Sequence, residues 1–169
     1  DTLRGLVGSG DSVHKIEAIC SGTLSYVFNT FTEGKRFSDV IKEAREKGFT
    51  EPDPRDDLGG TDVARKLLIL AREIGLTLEL SDISVENLVP ASCAKAASVE
   101  EFFTALAKED DSFEKRRAEA AKAGKVLRYV ATLNNGKGSA KLEAVDATHP
   151  FFSLNATDNK FAITSEYYS

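Results

Sequence analysis

The stretch TEPDPRDDLGGTDVARK, Thr50 to Lys66, gathers five carboxylates (Glu51, Asp53, Asp56, Asp57 and Asp62) around two prolines and closes on a lysine. Like charges at this spacing repel and favour an open, solvated loop. Pro52 and Pro54 argue against helix and hold the residues before them extended. Beyond the loop the pattern changes. Thr61 can cap a helix, TDVARKLLILAREIG, whose Val63, Leu67, Leu70, Ala71 and Ile74 form a buried stripe. Asp62 and Lys66 stand four apart, so they share a second face, with residues 69 and 73, that starts beside the loop.

Upstream, residues 1–9 read as the tail of a helix closed by glycine, and KIEAIC (15–20) as a short strand. Leu24, Val27, Phe28 and Phe31 follow helical spacing, and the helix they predict ends near Gly34. Ser38 looks like an N-cap preceded by a staple residue, Phe37; its helix turns Val40, Ile41 and Ala44 inward and stops at Gly48. Downstream, residues 76–90 read as loop and strand ending at Pro90. Ser98 to Glu101 forms a capping box for a helix through FFTALA, and Asp111 to Lys122 a more polar helix closed by Gly124. VLRYVATL (126–133), a turn at 134–136 and SAKLEAVDA (139–147) predict a β-hairpin. KFAITSEYY (160–168) predicts a third strand with Phe161, Ile163 and Tyr167 on one face. The expected class is α+β: a mixed or antiparallel sheet covered by helices.

With 169 residues, 41% hydrophobic and 29% charged, the chain can build one real core. It carries 27 acidic against 22 basic residues and no basic stripe, so the electrostatic footprint of a nucleic-acid binder is missing. Runs such as LLILA are far too short to cross a bilayer, and no signal peptide is visible. Cys20 and Cys93 offer neither a disulfide framework nor metal-ligand spacing, which fits a reducing compartment. The chain begins at Asp1 and contains no methionine, as an excised piece of a longer protein would.

The acidic loop admits three readings. It is a solvated loop whose acids favour the positive end of the next helix; or a calcium loop; or a site for a cationic, polar small molecule. The calcium reading fails in detail, because the alternating ligand ladder is absent and Arg55 stands where a ligand should be. For the third, a lysine held near carboxylates at a cleft is a candidate proton donor, and Glu51 a candidate partner for an ammonium group.

AREKGFTEPDPRDDLGGTDVARK, Ala44 to Lys66, resembles the signature run of homoserine dehydrogenases: an alanine, a glycine four on, an aromatic, T-E-P-D-P-x-x-D-L, then G-x-D and a lysine four beyond the aspartate. SGTLSYVFN (21–29), DVARKLLILARE (62–73), KVLRYV (125–130) and HPFFSL (149–154) also resemble the family, so the likeness covers most of the chain. The wording of 62–73 is most similar to bacterial and plant forms fused to an aspartate kinase. Three departures are small: Phe49 stands where tyrosine is common, Gly59 at a variable position, and Ala156 where glycine is frequent.

The resemblance implies interconversion of L-homoserine and L-aspartate 4-semialdehyde with NADP or NAD. It makes Lys66 the general acid that protonates the alkoxide formed by hydride transfer, and Asp62 the residue that orients Lys66 and contacts substrate. Glu51 would hold the substrate ammonium, with Asp57 supporting it. Gly48 would meet the nicotinamide, and Gly22 and Thr23 would line the same cleft through backbone groups. Asp53, Asp56 and Arg55 would be scaffold, and no metal is implied. No G-x-G-x-x-G occurs; GLVGSG at 5–10 comes nearest, and no strand precedes it. Residues 1–169 would therefore be the substrate-binding and dimerisation domain, lacking the dinucleotide-binding domain and the C-terminal end, and unable to turn over alone. A homodimer through the sheet is expected, in the cytoplasm or in a plant plastid. The rival reading is a non-catalytic dimerisation module.

Other candidates carry less. His14 and His149 are too far apart to suggest a site, and His149 precedes Pro150, as in a turn. Cys20 reads as a small buried apolar residue. Asn155-Ala-Thr157 matches a glycosylation sequon that a cytosolic or plastid protein would never have filled. Tyr26, Phe28 and Phe31 read as core.

Overall fold

The computed structural model describes residues 12–165 together with Gly5. The helix tail expected over 1–9, the glycine run at 5–10 and Tyr167 lie outside the described residues, Gly5 apart. In chain order the described α-helices and strands are β1 (Val13–Ile19), α1 (Gly22–Thr30), α2 (Phe37–Glu46), α3 (Arg55–Leu58), α4 (Thr61–Glu73) and, after a 3-10 turn at Leu80–Asp82, β2 (Ile83–Val85). There follow α5 (Ala91–Ala94), α6 (Val99–Ala107), α7 (Asp110–Lys122), β3 (Val126–Asn134), β4 (Lys137–Val145) and β5 (Lys160–Ser165).

The hairpin forms because Asn135 (φ 51) and Gly136 (φ 78) supply the positive φ pair that a tight two-residue turn needs. The sheet order is β2-β4-β3-β1-β5, with β2 parallel to β4 and the other pairs antiparallel. This is the mixed α+β sheet expected. Alternation along the strands divides its faces. Ile16, Ala18, Tyr129, Ala131, Leu133, Ala140 and Leu142 point into the main core with the helices. On the other face Ile19 and Val130 pack with Phe151, from the segment after β4. Elsewhere that face is polar: Glu17, Thr132 and Ser139 stand side by side across three strands.

Phe37, fully buried, is the hub of the helical layer. It stacks on Phe113 at 3.8 Å and meets Phe31 edge-on at 5.4 Å. Beside it Asp110 accepts from both Ser38 N (2.7 Å) and Ser38 Oγ (2.6 Å), joining α2 to α7 with every carboxylate oxygen used. On the sheet, the buried Arg128 guanidinium donates to carbonyls of Phe28, Leu127, Phe151 and Phe152. Burial lowers its pKa, and the carbonyls replace the water it has lost.

Several local expectations are corrected. Ser38 is not a cap: α2 begins at Phe37, and Ser38 is spent on Asp110. Pro54 starts a helix instead of excluding one. With φ −63° and ψ −14° it precedes α3, where its missing N–H costs nothing. Leu68 is buried, whereas Leu70 and Ile74 are only half-buried. Ser98 does cap α6, accepting from Glu101 N at 3.1 Å, but the Glu101 carboxylate takes Ala97 N at 3.0 Å, one residue early for a capping box.

Thr61 is not a cap either. The residue before α4 is Gly60, at φ 77° and buried against Tyr129. A Cβ there would fall 2.1 Å from the Tyr129 hydroxyl and 3.1 Å from Val85 Cγ1. The entry of α4 is therefore set by bare backbone pressed on the sheet. Gly60→Ala combines a left-handed residue with a side chain for which there is no room, and is expected to cost about 2–5 kcal/mol. Urea unfolding of the chain checks this; an unchanged midpoint would contradict it.

Candidate active site

α4 lies with Val63, Ala64, Leu67, Leu68 and Ala71 buried, which turns Asp62 and Lys66 outward together. Lys66 Nζ meets Asp62 Oδ2 at 3.1 Å and donates to the Cys20 carbonyl, just past the end of β1, at 2.7 Å. The Lys66 side chain is 46% exposed and that of Asp62 66%, so the ion pair itself is worth only about 0.2–1 kcal/mol. Its consequence is orientation. An ammonium has three N–H donors; two are committed, which leaves one for a ligand.

The carboxylates of the proline turn form a second cluster. Asp57 Oδ2 accepts the Glu51 backbone N–H at 2.9 Å. The Thr23 hydroxyl donates to the Phe49 carbonyl and also lies within hydrogen-bonding reach of Asp57. Burial raises the Asp57 pKa, against the Glu51 N–H and the Thr23 hydroxyl, which favour the ionised form; the Glu51 charge adds to the rise. The Glu51 carboxylate is exposed and accepts no hydrogen bond among the described residues. Asp53 differs: Arg55 holds it below the ordinary carboxylate range, so its charge is already matched.

The two clusters meet through one short segment, residues 20–23. At one end the Cys20 carbonyl holds Lys66; at the other Thr23 holds the Phe49–Asp57 side. Ser21 between them caps α1, accepting from Leu24 N at 3.1 Å, and Gly22 opens that helix. Thr23 thus contributes a side chain, where only its backbone was expected. The Cys20 carbonyl was missed altogether, because a backbone acceptor leaves no mark in side-chain identity. The Cys20 thiol is no nucleophile: burial, opposed by nearby Lys66, pushes it up to about 11.

Gly48 lies beyond α2 at φ 77°, its N–H bonded to the Arg45 carbonyl at 3.0 Å, and a Cβ there would meet nothing within 4 Å. That open backbone, beside the 39% exposed Phe49 ring, can accommodate a planar group at close range. Among the described residues no set of three or more His, Cys, Asp or Glu is grouped to hold a metal ion. No helix among them is long and apolar enough to cross a membrane.

The described residues thus form an α+β domain that presents a twice-anchored amine and, across residues 20–23, an ordered acidic turn. The whole chain, residues 1–169, matches the sequence model for homoserine dehydrogenase, and it belongs to that family. The chloroplastic bifunctional aspartokinase/homoserine dehydrogenase 2 of Zea mays is 52% identical over 99% of this chain, which covers 18% of that protein. The homoserine dehydrogenase of Schizosaccharomyces pombe is 46% identical over 99% of the chain and 46% of its own length. A crystal structure of a Candida auris protein of unknown function superposes with a TM-score of 0.94 at 45% identity, over 99% of this chain and 49% of that one. The chain thus spans less than half of each relative's length.

The Asp57 shift has a testable sign. Its folded-state pKa lies above the unfolded value, so the favourable contribution of the protonated form is present below the unfolded pKa and is lost as pH rises through the folded one. Asp57→Asn removes that loss. The stability of the variant relative to the parent chain is expected to improve as pH rises from about 4, near the unfolded value, through the raised folded-state pKa. Urea midpoints across that range check it, and a constant difference would contradict it.

Proposed function

We propose that this chain carries the substrate site for the NAD(P)-dependent interconversion of L-homoserine and L-aspartate 4-semialdehyde, with Lys66 as the acid–base group. The observation that carries the reading is the Lys66 amine, fixed by the Cys20 carbonyl and Asp62 with one donor to spare. A bound nicotinamide would supply the chemistry of hydride transfer at C4 of the substrate. In the reductive direction Lys66 donates its proton to the aldehyde oxygen as C4 becomes an alcohol, and its charge stabilises the oxygen as negative charge develops. In the oxidative direction Lys66 takes the proton back. Asp62 orients the amine and contacts the substrate, Glu51 holds the substrate ammonium, and Asp57 fixes the Glu51 backbone. Gly48 leaves open backbone that a nicotinamide could approach, and Gly22, packed against Thr157, would line the same cleft through its backbone.

Homoserine dehydrogenases use NAD(P). The dinucleotide would be bound by a separate domain, which the greater length of the relatives leaves room for. The exposure of Lys66 and Asp62 supports this, since a site this wet needs a second surface to exclude water. The same protein carries an aspartate kinase if it follows the Zea mays relative. That relative is chloroplastic, and a plant source implies the same compartment here; other sources imply the cytoplasm. A shallow concavity of about 790 Å³ is lined by Glu17, Lys141, Glu143 and His149, with Arg116 of α7 also on its wall. A second copy docked there would make the homodimer.

Lys66→Ala in the full-length protein is expected to lower kcat about 10²–10⁴-fold with the oligomeric state unchanged. Steady-state kinetics and analytical ultracentrifugation check it, and full activity would remove Lys66 from the mechanism. The 169-residue chain alone is expected to oxidise no NADPH in the presence of aspartate semialdehyde. Robust turnover would refute the need for a second domain.

A further inference from the structure

Arg55, inside the acidic turn, makes more bonds than any neighbour, and none is to a group placed in the chemistry. Its Nη2 meets Asp53 Oδ2 at 2.7 Å and its Nε meets Asp53 Oδ1 at 3.0 Å, a two-point grip. Its Nη1 donates to the carbonyls of Ala96 (2.8 Å) and Ala94 (3.2 Å), on the far side of the turn between α5 and α6. The guanidinium sits 5.5 Å from the centre of the fully buried Phe102 ring, on α6. Only 20% of the Arg55 side chain is exposed. A planar guanidinium committed on two edges and one face has a single way to sit.

The same turn holds the ligand-facing carboxylates. Arg55 opens α3, which contains Asp57, and Asp57 accepts the Glu51 N–H. From the other side Arg45 Nε takes the Pro52 carbonyl at 3.0 Å. Glu51, whose carboxylate bonds nothing among the described residues, is therefore placed only through its backbone.

We propose that Arg55 is a positioning residue for substrate binding: by clamping Asp53 to the α5–α6 connection it fixes the turn in which Asp57 holds the Glu51 backbone and so aims Glu51 at the substrate ammonium. This rests on the reading of Glu51 as the ammonium partner. The amine at Lys66 is held by Asp62 and the Cys20 carbonyl, bonds that do not pass through Arg55, so loosening the turn leaves the amine its two anchors. Arg55 then governs KM and leaves kcat to Lys66.

The test uses Arg55→Lys, which keeps the charge but not the fork, and Arg55→Gln, which keeps much of the bulk over Phe102. In the full-length protein both are expected to raise KM for L-homoserine about tenfold with kcat within about twofold. In the 169-residue chain, hydrogen exchange at the Glu51 amide is expected to accelerate about tenfold while the amides of α4 stay protected. Unchanged KM, or a fall in kcat alone, overturns the proposal, as does an unchanged Glu51 amide. If the parent protein does not turn over homoserine, the functional reading fails instead, and the Glu51 amide still decides whether Arg55 holds the turn. Should Arg55→Gln fail to fold, Arg55→Lys carries both measurements.

Discussion

The bond from Lys66 to the Cys20 carbonyl is the constraint on which the rest of the site depends. A lysine on a helix surface has four rotatable side-chain bonds and sweeps a wide volume of water. Here it reaches across to the end of a strand, where a carbonyl no longer spent on the sheet accepts it, and Asp62 closes the second side. Neither contact is strong in half-exposed surroundings. Together they turn a mobile charge into an aimed one, which is what proton transfer to a single oxygen requires.

That aim needs α4 and β1 to keep one spacing, and the packing beneath provides it. The buried stripe from Val63 to Ala71 sits on the central strands, while Gly60 brings the helix entry onto Tyr129 without a side chain between. Tyr129 is pinned in turn, its hydroxyl donating to the Glu86 carbonyl at 2.7 Å. The acidic turn has its own anchors and touches this assembly through Thr23 and residues 20–23. The five carboxylates are tolerated together because they are matched separately. Arg55 neutralises Asp53, the Glu51 backbone N–H serves Asp57, Lys66 pairs with Asp62, and solvent takes Glu51 and Asp56.

Much of this was legible in the sequence. The Asp62–Lys66 pair follows from helical spacing alone, and the hairpin from alternation around Asn135-Gly136. The sequence run from Ala44 to Lys66 carries the family, which the comparisons establish. What escaped reading depends on tertiary contact. Thr61 and Ser38 satisfy the local rule for a cap, yet Gly60 is demanded by Tyr129, and Ser38 is taken by Asp110, 72 positions away. Pro54 was read as a breaker when it stands at a helix start, where the same missing N–H is harmless. The Cys20 carbonyl had no sequence signal of any kind. The sequence marks Arg55 only as scaffold; its reach to Ala94 and Ala96 reveals what it steadies.

The most direct measurement is a crystal structure of the full-length protein with L-homoserine bound. The account predicts the ligand hydroxyl within hydrogen-bonding distance of Lys66 Nζ, which still donates to the Cys20 carbonyl, and the ligand ammonium against Glu51. A bound homoserine whose hydroxyl lies away from Lys66, or a Lys66 side chain swung off the Cys20 carbonyl, would contradict it.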